Sequence, residues 1–160
     1  MRALVQRVTR AAVSVDEEVI GEVGVGFLVL LGVGHHDDAA IADQLADKVA
    51  KLRVFADGDG RMNLSLEQVG GACLVVSQFT LFGDARSGNR PGFSAAAAPE
   101  LGEELYQRFV TRLRERKVPV ATGSFGAAMR VELVNDGPVT LWLDSDELFG
   151  ARASGPAGRT

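Results

Sequence analysis

Cysteine occurs once in these 160 residues, histidine twice, and tryptophan and tyrosine once each. The lone thiol, Cys73, excludes an internal disulfide framework, and its place inside an apolar run makes it a buried, inert thiol rather than a nucleophile. His35 and His36 are sequence neighbours, not ligands at a helical spacing, and there is no third histidine, so they read as a loop carrying two titratable rings. No run of about 20 apolar residues is present, and the opening MRALVQRVTR lacks a signal-peptide layout. The expectation is a soluble, cytoplasmic protein with no membrane partner. A net charge of −4 argues against a partner held by a broad basic face, while leaving room for a small RNA contact at a local basic patch.

Several common sites are also lacking. The stretch DGDGRMN at Asp57 starts like a calcium loop but has Met62 where glycine is required and Gln68 at the closing position. The glycines of GEVGVGFLVLLGVG place Val29 where a dinucleotide fingerprint needs its third glycine, and no P-loop occurs. Ser77 is not on a G-x-S-x-G elbow, and no Ser-His-acid set is evident. No metal and no cofactor is expected.

What is present suggests one domain over residues 1–149 and a low-complexity tail over 150–160, since a chain of this length buries roughly 68–70% of its unfolded surface. Leu4, Val5, Val8, Val13 and Val15 suit short half-buried strands in a hairpin-like pair, and the run from Phe27 suits a strand covered on both faces. Ile41, Leu45, Val49 and Leu52 mark an amphipathic helix capped by Asp37 or Asp38. CLVVSQFTLF predicts a second buried strand, and SGNRPGF breaks it. A helix follows from Pro99 along Leu101, Leu105, Phe109 and Leu113 to the basic end RLRERK. MRVELVN and PVTLWLD predict two closing strands.

Two stretches stand apart. SQFTL puts Ser77, Gln78 and Thr80 at the end of a buried strand, where they either bond backbone or line a polar pocket. NDGPVT puts Gly137 and Pro138 where a sheet wants a ladder, which implies a turn, an edge or exposed backbone.

SQFTL and NDGPVT resemble the two signature motifs of the D-aminoacyl-tRNA deacylases. The resemblance extends through MRALVQRVTRA, LLGVGHHD, RMNLSL, RPGFSAAA and GSFGAAMRVELV. Gly92 departs from it, standing where many relatives have serine. The resemblance implies an α+β fold, with mixed and antiparallel β-sheet in a barrel-like core and two main amphipathic helices, assembled as a homodimer. It implies hydrolysis of the ester between a D-amino acid, or glycine, and the terminal ribose of tRNA. Ser77, Gln78, Phe79 and Thr80 would form the catalytic stretch, with Phe125, Gly126 and Met129 lining the same pocket. Gly137 and Pro138, joined by a cis bond, would reach into the other subunit's pocket as a chiral gate, and Arg7 would steady the partner's pair. Arg86 and Arg90 are candidate phosphate contacts for the tRNA acceptor end, or a solvated loop.

An ester is already activated, so the protein needs chiefly to orient it and to stabilise the oxyanion. The resemblance leaves two routes, with the Thr80 hydroxyl as the nucleophile or with the vicinal 2′-hydroxyl of the tRNA's terminal adenosine assisting attack; the lack of a base near Thr80 in sequence favours the second. Other readings are a non-catalytic nucleic-acid-associated module on the same fold, which intact motifs oppose, and a generic esterase.

Overall fold

The computed structural model describes residues 1–150, so all of the expected tail except Gly150 lies outside the described residues. Strand β1 (Arg2–Val15) organises the sheet. One of its edges pairs antiparallel with β3 (Gly26–Gly32) through its first half and with β2 (Glu18–Val23) through its second. Its other edge pairs with β8 (Arg130–Asp144). Beyond β3 the sheet turns parallel, through β6 (Ala72–Ser77) to β7 (Val120–Thr122). The two ends then approach: a Cβ on Gly21 of β2 would lie 2.6 Å from the Thr122 carbonyl oxygen, so only a residue without one lets the barrel nearly close.

The side-chain period of two explains the continuous apolar runs. Phe27, Val29, Leu31, Cys73 and Val75 point to one face of the sheet, where they meet α1 (Ala39–Lys51) and α3 (Pro99–Glu115) in the main core. Leu28, Leu74 and Val76 point to the other face, inside the barrel, with Val8, Ala11 and Val13. Cys73 is buried, which pushes its thiol up to about 12. Helix α1 is capped by Asp38, whose carboxylate accepts the Ile41 amide at 2.9 Å, and α3 carries Pro99 in its first turn. The helices are joined on their outer side by the pairs Asp43–Arg108 and Asp47–Arg112, at 2.6 and 2.8 Å; the Arg112 hydrogen bond holds the Asp47 carboxyl below its usual value.

Small elements fill the rest. A hairpin of β4 (Phe55–Ala56) and β5 (Met62–Leu64) is closed by Asp57, whose carboxylate accepts the amides of Asp59 and Arg61 at 2.9 and 3.1 Å and the Asn63 side chain at 3.1 Å. Helix α2 (Leu66–Val69) starts at a capping box of Ser65 and Gln68, and α4 (Ser145–Phe149) ends the described chain.

Three expectations are corrected. Leu4 to Val15 belongs to one long strand rather than a hairpin pair, because β8 pairs along it through two shifts in register, between Gln6 and Val8 and between Val8 and Arg10. The strand expected over CLVVSQFTLF stops at Ser77: Leu31 is the last residue of β3 to pair with β6, and once the Gln78 amide has bonded the Leu31 carbonyl at 2.8 Å the ladder has no further partner. Phe79–Phe82 instead form a single 3₁₀ turn. The two closing strands around the glycine-proline are one strand, β8, templated along β1.

Candidate active site

Where β6 hands over to the 3₁₀ turn, a cavity of about 590 Å³ opens between the sheet, the start of α3 and two loops. Ser77, Gln78 and Phe79 form one wall, and Phe125, Gly126 and Met129 another. The structure therefore brings together six of the residues singled out from sequence. Gly102 on α3 makes room for Phe125, whose ring atom would lie 3.3 Å from a Cβ there. The Met129 sulfur accepts the Ser124 amide at 3.4 Å, which folds the loop over the cavity.

Two further lining residues, Tyr106 and Phe93, escaped the sequence reading. Tyr106 packs 6.0 Å from Phe125, centroid to centroid, and its hydroxyl donates to the Val75 carbonyl at 2.8 Å. Burial pushes this phenol up to about 12, so it stays a neutral donor. Its signal was a hydroxyl on an otherwise apolar helix face. Phe93, within the quoted RPGFSAAA, meets Phe79 edge-on at 5.1 Å.

Phe79 and Thr80 begin the 3₁₀ turn, where amides have no partner within the turn. Neither donates to another group among the described residues. Both side chains are exposed, and the Thr80 hydroxyl is bonded by the Gln78 carboxamide. No carboxylate, imidazole or amine hydrogen-bonds Thr80 among the described residues. Thr80 itself lies outside the lining, so what the arrangement offers is a free Phe79 N–H on the wall of an apolar cavity with the free Thr80 N–H next along the turn, the elements of an oxyanion site.

Gly137 and Pro138 lie elsewhere. On β8, Asn135 pairs with Val8 and Thr140 with Gln6, so Asp136 to Val139 bulge out opposite the single residue Arg7. The sequence NDGPVT explains the shape. At the base of the bulge the Asn135 carboxamide donates to the Thr140 hydroxyl at 3.0 Å and accepts the Val139 amide at 3.3 Å. Arg7, expected to steady the partner's pair, instead braces the bulge of its own chain from behind, donating to the Asp136 carbonyl at 3.1 Å and to the Val54 carbonyl. Gly137 has φ +127°, and a Cβ there would sit 3.0 Å from the Val139 amide nitrogen and 3.1 Å from Arg7 Nη2. The Gly137–Pro138 peptide is cis, and both residues are exposed. Neither lines the cavity of its own chain.

Arg86 and Arg90 occupy the loop between the 3₁₀ turn and Phe93, pinched shut where Asp84 and Gly92 exchange backbone bonds at 2.8 and 2.9 Å. Arg86 is bound by Asp84 at 2.7 Å, and this partner holds the Asp84 carboxyl down at about 2. Arg90 is exposed and has no ion-pair partner among the described residues.

The sequence profile of the D-Tyr-tRNA(Tyr) deacylase family matches residues 4–144. The chain belongs to that family. The relatives include D-aminoacyl-tRNA deacylases of Anaeromyxobacter dehalogenans, 62% identical, and Symbiobacterium thermophilum, 59% identical. Each alignment covers 93% of this chain, and they cover 100% and 99% of the respective relatives. Among solved structures, a c-Myc DNA unwinding element binding protein superposes with a TM-score of 0.85 at 40% identity, covering 90% of this chain and 98% of that one. A probable eukaryotic D-amino acid tRNA deacylase superposes with a TM-score of 0.73 at 18% identity, covering 89% and 97%, a likeness of fold. The protein is accordingly a hydrolase of the deacylase family that acts on D-aminoacyl-tRNA, built as a mixed, nearly closed sheet barrel with helices. Among the described residues no helix is long and apolar enough to cross a membrane.

Proposed function

We propose that this deacylase, with residues 1–149 as its catalytic unit, works in the cytoplasm as a homodimer. In it, the Gly137–Pro138 bulge of one copy completes the cavity of the other and rejects L-aminoacyl-tRNA. The observation that carries this is the separation of the two motifs: the bulge is exposed and braced from behind by Arg7, yet lines no part of its own chain's cavity. The outer edge of β8 supports the pairing, since β8 hydrogen-bonds only β1 among the described strands and exposes Val134 and Trp142. Rigid backbone beside the substrate's α-carbon fills the volume into which any L side chain projects, whatever its chemistry. Glycine has nothing to collide, so glycyl-tRNA passes the same gate.

In the cavity, the amides of Phe79 and Thr80 receive the developing oxyanion, and the apolar walls around Phe125 and Met129 hold the acyl end of the tRNA and exclude water. The unassisted Thr80 hydroxyl favours attack aided by the vicinal 2′-hydroxyl of the terminal ribose. Arg90, with its unpaired charge, is the better of the two loop arginines for a phosphate.

A second reading, nucleic-acid binding without hydrolysis, draws on the name of the solved structure at 40% identity. Incubation with D-tyrosyl-, L-tyrosyl- and glycyl-tRNA separates the readings. The D and glycyl esters are expected to be cleaved and the L ester to survive. Intact D-tyrosyl-tRNA would identify a binder, and equal loss of the L form would remove the gate.

A further inference from the structure

The 3₁₀ turn that presents the Phe79 and Thr80 amides has little to hold it. It follows the end of a ladder, its first two side chains are exposed, and at its two ends it is closed by single bonds, from Leu81 to the Gln78 carbonyl at 3.2 Å and from Gly83 to the Thr80 carbonyl at 2.9 Å. One side chain among the described residues hydrogen-bonds the turn's backbone. Arg2, at the start of β1, donates from Nη1 to the Leu81 carbonyl at 2.8 Å. The other side of its fork, Nε, is 3.2 Å from Asp144 Oδ2 at the end of β8. Its guanidinium plane covers the Phe82 ring at 4.5 Å, with Trp142 at 5.6 Å. Phe82 in turn rests on the glycine-lined end of β3, where a Cβ at Gly32 or Gly34 would come within 3.2 or 3.1 Å of the ring.

We propose that Arg2 is a positioning residue for deacylation: by bonding the Leu81 carbonyl, Asp144 and the Phe82 face at once, it fixes the turn so that the Phe79 and Thr80 amides point at the acyl site. This rests on the reading of those amides as the oxyanion donors. Arg2 does not line the cavity, so it acts through the turn and not on the substrate. Lysine cannot replace it fully, because a point charge cannot engage two acceptors in a plane and stack on a ring together. A misplacement of about 1 Å at such a site costs on the order of 10²-fold in rate.

The experiment compares kcat and KM of folded Arg2→Gln, Arg2→Lys and Arg112→Gln on D-tyrosyl-tRNA; Arg112 lies in the outer helix pair, remote from the turn. Arg2→Gln is expected to lower kcat about 10- to 100-fold with KM within about threefold, and Arg2→Lys to recover part of the loss. Arg112→Gln should lower thermal stability and leave kcat unchanged. Wild-type kcat in Arg2→Gln, a loss confined to KM, or an equal kcat loss in Arg112→Gln would overturn the proposal. Replacing Phe79 by phenyllactate, which exchanges its N–H for an ester oxygen, tests the underlying reading separately. A large kcat loss there with none in Arg2→Gln rejects Arg2 alone, whereas unchanged kcat in the phenyllactate protein removes the amide reading and the Arg2 proposal with it.

Discussion

Thr80 is the residue whose part is easiest to mistake, because a hydroxyl beside an ester invites the role of nucleophile. Here it is exposed, its oxygen is engaged by the Gln78 carboxamide, and no base is hydrogen-bonded to it among the described residues. Thr80→Ala keeps the backbone amide and should therefore retain activity within about tenfold, against the 10²- to 10⁴-fold loss typical when a general acid or base is removed. Loss of that larger size in a folded variant that still binds tRNA would restore the hydroxyl to the reaction. The two loop arginines differ in the same residue-level way. Arg86 already has a carboxylate partner, and Asp84 remains charged down to about pH 2. Arg90→Ala should therefore reduce the salt dependence of tRNA binding by about 0.7–0.9 in log–log slope while Arg86→Ala changes it less, measured as Kd against salt concentration. Equal changes would mean that Asp84 does not mask Arg86.

Helix α3 joins the core to the cavity through Tyr106. Its hydroxyl bonds the Val75 carbonyl, which also accepts the Gly123 amide at 3.4 Å, so Tyr106→Phe leaves that oxygen partly satisfied and should cost about 1 kcal/mol. Since burial raises the phenol from about 10 to about 12, the folded state favours the protonated form. That stability is whole below pH 10 and is lost as pH rises toward 12. Denaturant titrations should show a fall over this window in the wild type that is smaller in Tyr106→Phe, and identical slopes would refute the assignment. The elements differ in how far sequence revealed them. Helices α1 and α3 were legible because Leu45, Val49, Leu105, Phe109 and Leu113 repeat at helical spacing and are buried. The turn at Phe79 was not, because FTLF reads as strand in composition, and only the end of pairing with β3 decides otherwise. The bulge in β8 was legible as an interruption through its glycine and proline. Its fastening by Asn135, Thr140 and Arg7 was hidden, since it depends on register across β1. Phe93 reached the cavity by folding, with no local pattern to announce it, and Tyr106 was marked only by a hydroxyl on an otherwise apolar helix face.

For the whole molecule, one chain holds both motifs but does not bring them to one place. Its cavity lacks the bulge, and its bulge projects without a cavity of its own. In the proposed homodimer a symmetric pair of chains would resolve this, each supplying the other's gate. The direct measurement mixes two variants, each inactive alone: Gly137→Ala, which puts a side chain at φ +127°, and Phe79→Pro, which removes an amide at a first-turn position where proline is tolerated. After confirmed subunit exchange, a cross-subunit gate predicts recovery to about a quarter of wild-type activity on D-tyrosyl-tRNA, because half of the dimers then hold one intact site. A chain carrying both changes, exchanged with wild type, should give mixed dimers without activity. No recovery in the first mixture, together with one working site per mixed dimer in the second, would contradict the account, for the gate would then serve its own chain.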